Sequence, residues 1–333
     1  MNVTLTTVWA AIIVFAVVMY VVMDGFDLGI GILFTRFRVG TERNTAMNSI
    51  APVWDGNETW LILGGGGLLA AFPLAYAIIL PALYAPLIAM LLGLVFRGVA
   101  FEFRWRDPKH RAQWDAGFCI GSSIATFAQG VTLGALLQGI KISGRAYAGG
   151  YWDWITPFST LTGVSLVSGY ALLGAGWLIW KTSGPVQTRA RRFAKALTPG
   201  FLAAIAAVSI YTPFLHTKYY DTWFTWPGAC ALVVMPIAVA AIGLMLYRCV
   251  DKGRDFLPFC LTLSLFGMSL LGLAISMWPD LIPSRLSIWD AAAPPSTQIF
   301  MLVGAGVLMP LILAYTAWAY WVFRGKVAEE GYH

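Results

Sequence analysis

Charged residues are scarce in this sequence, and their scarcity excludes most classes of soluble protein. Asp, Glu, Lys and Arg make up 11% of the 333 residues, and 59% of the chain is hydrophobic. Soluble domains carry about 25% charged residues. The net charge of +6 does not indicate nucleic-acid binding, because the basic residues are spread over short connections instead of one face. The composition predicts an all-α membrane protein that crosses the bilayer many times.

Ligands for metals and haems are also few. The histidines are His110, His216 and His333, and they lie in connections or at the terminus. No histidine pair is therefore available inside an apolar segment for axial haem ligation or for a transition-metal site. The four cysteines have no C-x-x-C spacing and lie in or beside apolar segments, which indicates small packing residues. We expect no redox centre and no cofactor bound by this chain alone.

The apolar residues fall into nine segments of about the 20 residues that a membrane-spanning helix needs. Residues 1–9 contain no basic residue, and no clean small-residue cleavage site follows, so we interpret the first segment as a helix and not as a removed signal peptide. We expect a single transmembrane domain over residues 1–333. The predicted segments are 7–34, 50–72, 75–101, 115–140, 158–180, 198–215, 226–247, 257–278 and 299–323.

The connections between these segments predict the packing and the orientation of the helices. Most are short, apart from 141–156, 181–197 and 279–298, so consecutive helices are expected to be antiparallel neighbours. Alternate connections, with the C-terminal tail, contain 17 Lys and Arg residues on one side and 4 on the other. Because basic residues accumulate in cytoplasmic loops, we expect an outer N-terminus and a cytoplasmic C-terminus.

Two apolar segments contain pairs of carboxylates. Asp24 and Asp27 lie in the first segment, and Asp55 and Glu58 lie in the second. Residues three apart share one face of a helix, so each pair is expected to point in one direction. A charge at the centre of a membrane helix costs roughly 2.5–3.5 kcal/mol on insertion scales, and such residues are functional by default.

Further polar residues are expected at the same depth, in the cytoplasmic half of the membrane. Arg97 lies about two turns from the cytoplasmic end of the third segment and Glu102 lies at its boundary, while Asn57 and Trp54 flank the acids of the second segment. One arginine cannot neutralise all these acids, so some are expected to be protonated at neutral pH. Acids strung inward from the cytoplasm are what a proton path requires. The alternative is an Arg97–Asp55 pair that only locks the helices together.

Six stretches of the sequence match the pattern of a known family: Asp24–Gly31, Asn48–Glu58, Arg97–Gly98, Phe101–Arg104, Trp289–Asp290 and Ala314–Trp318. In these stretches the chain resembles subunit II of the cytochrome bd-type quinol oxidases. The short 141–156 connection and the Ser287–Gln298 stretch are similar to the cyanide-insensitive branch of that family. Some relatives have Gln where this chain has Glu58, and Glu58 either adds a relay step or is a spectator facing lipid headgroups.

The resemblance implies nine helices arranged as two four-helix bundles plus a peripheral helix, in the inner membrane of a bacterium. The partner is then a haem-bearing subunit I with two haems b and one haem d, which oxidises quinol and reduces oxygen. A small single-helix accessory subunit and bound lipid are compatible with it, and some family members hold a structural quinone in subunit II. The present chain would scaffold subunit I and deliver cytoplasmic protons through Asp55, Asp24 and Asp27.

Two other classes of function remain compatible with the residues. Buried acids and helix-interrupting prolines also occur in proton-coupled secondary transporters, although no internal repeat of the kind that many transporters contain is evident. The other class is a purely structural assembly subunit in which the acids only join helices.

Overall fold

The structure, a computed structural model, describes residues 3–226 and 228–327 and is helical over most of that length. The chain forms α1 Val3–Leu33, α2 Thr41–Asn48, α3 Trp54–Ala71, α4 Pro73–Arg106, α5 Arg111–Leu137, α6 Pro157–Lys181, α7 Gly184–Tyr211, α8 Thr217–Phe224, α9 Gly228–Asp251, α10 Leu257–Met277 and α11 Pro295–Val322. Two antiparallel hairpins connect helices, β1 Ile142–Ser143 with β2 Ala146–Tyr147, and β3 Asp280–Ile282 with β4 Leu286–Ser287.

Eight helices of the described part of the chain are long and apolar enough to cross a membrane. They are α1, α4, α5, α6, α7, α9, α10 and α11, and they confirm the prediction of an all-α, multi-pass membrane protein. The second predicted segment, 50–72, forms α3 only from Trp54, because residues 49–53 make consecutive turns. Asp55, Glu58 and four glycines keep its 18 residues below the apolar content of the other eight.

The prediction of a connection over residues 181–197 is wrong, because residues 184–197 form the first half of α7. This half carries basic side chains that are fixed by carboxylates of other connections. Arg189 lies 3.0 Å from Glu42, Arg191 lies 2.5 Å from Asp255, and Lys195 lies 2.6 Å from Asp251. The charges lowered the apolar signal of this helix without lowering its propensity to be helical. The short helices α2 and α8 were not predicted either.

Glycines bring the backbones of the central helices into contact. A Cβ atom added to Gly29 of α1 would lie 1.8 Å from the carbonyl oxygen of Tyr170 in α6, and one added to Gly93 of α4 would lie 2.7 Å from the carbonyl oxygen of Gly121 in α5. Only glycine allows such close approach, as in small-residue interfaces of membrane helices. These crossings fix α1 and α4 against their neighbours and hold the polar residues of both helices in place.

The connections that follow α1, α4, α6 and α9 lie with the end of α11 at one end of the bundle, which we call the basic end. Arg36, Arg104, Lys181, Arg248 and Arg324 mark it. The main apolar core is built from α1, α4, α5, α6, α7 and α10, and a second core lies toward the opposite end around Phe72, Ile78 and the hairpin residue Ile282.

Candidate functional site: a buried arginine and its carboxylates

The guanidinium group of Arg97 lies at the centre of the polar site near the basic end. Its Nη1 atom donates a hydrogen bond of 2.6 Å to Asp24 Oδ1, and its Nη2 atom lies 3.0 Å from Glu58 Oε1. Arg97 is 1% exposed and Asp24 is fully buried, whereas 28% of the Glu58 side chain is exposed. Arg97 therefore joins one buried and one half-buried carboxylate from two different helices.

An amide fixes the second acid of α1. The Nδ2 group of Asn57 donates to Asp27 Oδ2 at 2.7 Å and to the carbonyl oxygen of Met23 at 3.1 Å. The hydroxyl group of Tyr320, at the end of α11, donates to Asn57 Oδ1 at 3.0 Å. Asp27 is fully buried and has a neutral partner instead of a cation. Its environment therefore differs from that of Asp24, although the two acids lie one helical turn apart.

Trp54 closes the site on the side of α4. Its ring lies 5.8 Å from the guanidinium carbon of Arg97 and packs against the ring of Phe101 at 4.9 Å between centroids. Gly98 faces this ring, and an added Cβ would meet it at 3.5 Å, an ordinary van der Waals distance. An aromatic face beside a buried cation supplies attraction without a further negative charge.

Asp55 and Glu102 lie outside this buried cluster. Both side chains are exposed, and neither makes an ion pair or a side-chain hydrogen bond with any described residue. The alternative of an Arg97–Asp55 pair is therefore wrong, because Arg97 pairs with Asp24 and Glu58. Asp55 lies in the first turn of α3, one turn before Glu58. Glu102 follows Gly98 by one turn of α4 and so lies beside the start of α3.

Each of the two buried carboxylates retains one oxygen atom without a hydrogen-bond donor among the described residues. Asp24 Oδ2 and Asp27 Oδ1 have no hydrogen-bond donor in the described part of the chain. A buried polar atom without a partner is costly, and a carboxylate can relieve that cost by binding a proton. The three acids around Arg97 outnumber its single positive charge. No group of three or more His, Cys, Asp or Glu residues within the described ranges is arranged to hold a metal ion.

A second polar cluster, which the sequence did not predict, joins the connections at the basic end. Arg104 is fully buried and donates to Asp115, while Arg43 donates to the other oxygen of Asp115 at 2.7 Å. Arg104 also donates to Asn44 at 2.9 Å. These bonds tie α2, the end of α4 and the start of α5 together. No motif or spacing in the sequence indicates these partners.

Tyr320 is the functional neighbour that sequence reasoning missed most completely. It lies 263 positions from Asn57, and no helical periodicity relates two residues so far apart. The feature of the sequence that could have drawn attention to Tyr320 is its position two residues after the Ala314–Trp318 stretch. That stretch had suggested a family resemblance without suggesting a contact.

The fold and the site define a multi-pass helical membrane protein with an acid–arginine cluster buried near one end of its bundle. The model of the family described as cytochrome bd terminal oxidase subunit II matches residues 5–323, and the chain belongs to this family. It is accordingly a subunit of a bd-type quinol oxidase, an oxidoreductase complex of the respiratory chain in the bacterial plasma membrane, and subunit I is its partner.

The relatives cover nearly the whole chain. Subunit 2 of the cytochrome bd-I ubiquinol oxidase of Escherichia coli (strain K12) is 31% identical over 97% of this chain and 95% of its own length. Subunit 2 of the cytochrome bd ubiquinol oxidase of Bacillus subtilis (strain 168) is 31% identical over 98% of both chains. A chain in the structure of the bd oxidase from Geobacillus thermodenitrificans has the same fold, with a TM-score of 0.78 and 16% identity over 96% of this chain and 99% of that chain.

Proposed function

We propose that this chain delivers cytoplasmic protons toward subunit I of a quinol oxidase and scaffolds that subunit. The observation that carries the proposal is the group of three carboxylates, Asp24, Asp27 and Glu58, around the buried Arg97. The haem groups that the resemblance assigns to subunit I supply the redox chemistry, in which oxygen takes up four electrons and four protons to give water. The residues of this chain bind, hold and pass on protons.

The proposed path begins at the two exposed acids. Asp55 and Glu102 lie at the rim, where they can exchange protons with water. Glu58 is the next step, because it is half-buried, one turn deeper than Asp55, and in contact with Arg97. Asp24 then lies on the far side of the same guanidinium group, and Asp27 is one turn away. Glu58 is therefore a relay residue in this proposal, and not a spectator.

Arg97 and Asn57 have different parts in this path. Arg97 offsets the charge of Asp24 and Glu58, so a proton that reaches either acid can also leave it. Asn57 orients Asp27 and is itself oriented by Tyr320. An amide does not exchange a proton as readily as a carboxylic acid, so Asn57 is a positioning residue. Trp54 shields the guanidinium group from one side.

The orientation and the helix count belong to the same proposal. The basic end is cytoplasmic, in agreement with the excess of basic residues there. The 18 residues of α3 have a length of about 27 Å at 1.5 Å per residue, close to the hydrocarbon thickness of about 30 Å. With α3 as a spanning helix the chain has nine, as expected for two four-helix bundles and a peripheral helix.

The scaffolding surface is the outer face of α3. Ile62 and Leu69 are exposed on either side of Gly65 and Gly66. These four residues lie on one face of the helix. A Cβ at either glycine would meet nothing within 4 Å, so the glycines are not needed for packing within this chain. A helix of subunit I can approach the backbone of α3 closely there.

One observation favours a purely structural role instead. The contacts of Arg97 with Asp24 and Glu58 join α1, α3 and α4. Ion pairs that only hold the helices together would use the same bonds. The two roles differ in what remains when an acid becomes an amide. If the acids only hold the helices together, an amide in place of one acid releases subunit I and its haems together. If the acids carry protons, the same change leaves an intact complex with slow turnover.

The test uses Glu58→Gln and Asp24→Asn in the assembled oxidase. We expect haem content close to that of the wild type, with quinol-driven oxygen consumption lowered by roughly 10²-fold, a typical loss for a missing acid–base group. The matched control is Asp251→Asn, because Asp251 is an exposed acid at the same end and lies outside the proposed path. The visible spectrum reports haem content, and an oxygen electrode reports turnover.

Two results would decide against the proton path. Full turnover at normal haem content in both variants would exclude these acids from it. A loss of turnover that only follows a loss of haem would favour the structural role. Asp55→Asn provides a further comparison, because an exposed acid at the rim can be replaced in part by water and should lower turnover less than Glu58→Gln.

A further inference from the structure

A cavity at the basic end contains a buried lysine that has no negative partner among the described residues. The cavity has a volume of about 270 Å³ and lies where α6 and α11 end, beside the turns that precede α3. Lys181 and Asn48, which line it, are 6% and 5% exposed, and Ser49, Tyr320, Arg324 and Lys326 also line it. No acidic residue of the described chain lines the cavity.

The charge of Lys181 is poorly compensated. Its Nζ atom donates one hydrogen bond of 2.7 Å to the carbonyl oxygen of Phe323, although an ammonium group has three donors. The rings of Trp177 and Trp180 lie 5.5 Å away, and no described carboxylate lies within ion-pair distance. By contrast, the more exposed Lys195 has a carboxylate at 2.6 Å. A buried charge without a counter-ion is unfavourable, which indicates that an anion belongs in this cavity.

The other groups in the cavity restrict the chemistry of that anion. Arg324 is exposed at the rim and supplies a second positive charge, while Lys326 is already paired with Asp255 at 2.8 Å. The Oδ1 atom of Asn48 is buried and has no donor in the described chain. The ligand should therefore contain both an anionic group and a hydroxyl or ammonium donor. A phosphate diester that carries a glycerol has both.

We infer that this cavity binds the phosphate headgroup of an anionic phospholipid of the inner leaflet. Basic pockets between membrane helices on the cytoplasmic side commonly bind such headgroups. The volume fits, since it holds several water molecules at roughly 30 Å³ each. Val322, which is 47% exposed and lines the cavity, begins an apolar surface on α11 along which the acyl chains can lie. The same phosphate chemistry could also be satisfied by free phosphate.

The headgroup would lie next to the proposed proton path but is not part of it. Tyr320 contributes to both, because its ring lines the cavity and its hydroxyl group contacts Asn57. The inference rests on the uncompensated charge of Lys181 and not on proton transfer. Failure of either proposal would leave the other in place.

The test is native mass spectrometry of the assembled oxidase, purified from membranes that contain phosphatidylglycerol. We expect the wild type to retain one phosphatidylglycerol after detergent exchange. Lys181→Met and Arg324→Gln should lower its occupancy by about fivefold or more, since each basic residue near a membrane surface favours anionic lipid. Lys181→Arg should retain it, and Lys195→Met is the matched control.

Arg324→Gln keeps the test decisive if Lys181→Met loosens the end of α11, because the Arg324 side chain is exposed. Inorganic phosphate added to delipidated oxidase distinguishes the two sources. Phosphate that binds to the wild type but not to Lys181→Met, without retained lipid, would assign the site to the free ion. An absence of both ligands from the wild type would overturn the inference, as would equal lipid occupancy in Lys181→Met, Arg324→Gln and Lys195→Met.

Discussion

The contact between Arg97 and Asp24 provides a quantitative test of the site. Arg97→Gln removes the cation and leaves Asp24 fully buried near the basic end without a cationic partner among the described residues. Asp24→Asn removes the anion but leaves Arg97 within 3.0 Å of Glu58. The double variant removes both charges. The three variants form a double-mutant cycle in which only the pairwise interaction remains after subtraction.

The magnitude follows from the burial of the two partners. Removal of one partner of a buried ion pair costs about 3–5 kcal/mol, because the other charge remains uncompensated. Arg97→Gln should approach this range, since Asp24 pairs with no second cation among the described residues. Asp24→Asn should cost less, because Glu58 still pairs with Arg97 and is partly screened by solvent. The double variant should resemble Asp24→Asn more closely than Arg97→Gln.

The assay is the rate at which the assembled oxidase loses its native visible spectrum at a fixed elevated temperature. If the pair is absent from the transition state of unfolding, Arg97→Gln should accelerate this loss by about 100-fold, and the double variant should recover most of the difference. Equal rates for wild type and Arg97→Gln would refute the inference that the pair is buried. A double variant that is less stable than Arg97→Gln would refute the assignment of Asp24 as its partner.

Three further predictions concern other parts of the chain. Gly29→Ala should lower the thermal midpoint of the complex through a backbone clash of about 1–3 kcal/mol or more. Gly267→Ala is the control and should not lower it, because a Cβ at Gly267 meets nothing within 4 Å. Equal midpoints for the two variants would contradict the close crossing of α1 and α6. Tyr320→Phe should accelerate thermal inactivation by about fivefold, as expected for one hydrogen bond of about 1 kcal/mol, and an unchanged rate would contradict the contact. A hydrogen bond from Lys141 holds the pKa of Asp153 below its usual value. This pair should therefore persist at neutral pH and be lost as the pH falls below about 4. The tryptophan fluorescence of the 141–156 connection should change in that pH range in the wild type and not in Asp153→Asn.

The sequence predicted the depth of the polar residues better than their contacts. A count of residues from the end of each segment placed Asp24, Asp55, Glu58 and Arg97 in one layer. It could not give the rotation of each helix about its own axis. Asp55 and Glu58 share a face, and Arg97 contacts only the deeper of the two. A difference of one helical turn therefore decided between the predicted partner and the observed one.

The sequence also predicted some helices better than others. Long apolar runs identified the spanning helices because burial in lipid requires them. Residues 184–197 of α7 are helical without such a run, and their arginines and lysine include two that pair with Asp255 and Asp251. Pairs such as Arg104 with Asp115 and Lys181 with Phe323 depend on the packing of several helices. A single sequence contains no signal for such long-range packing.

The hydrogen bonds that join the last helix, α11, to the rest of the described chain lie at its two ends. At one end the indole of Trp9 donates to the carbonyl oxygen of Gln298 at 3.0 Å, and at the other Tyr320 contacts Asn57 and Lys181 contacts Phe323. Gln298 is the one residue of α11 that is buried within this chain. Substitutions should therefore be tolerated along the middle of α11 as long as they stay apolar. Changes at the two ends alter the rotation and depth of the whole helix at once, so natural variation should concentrate between them.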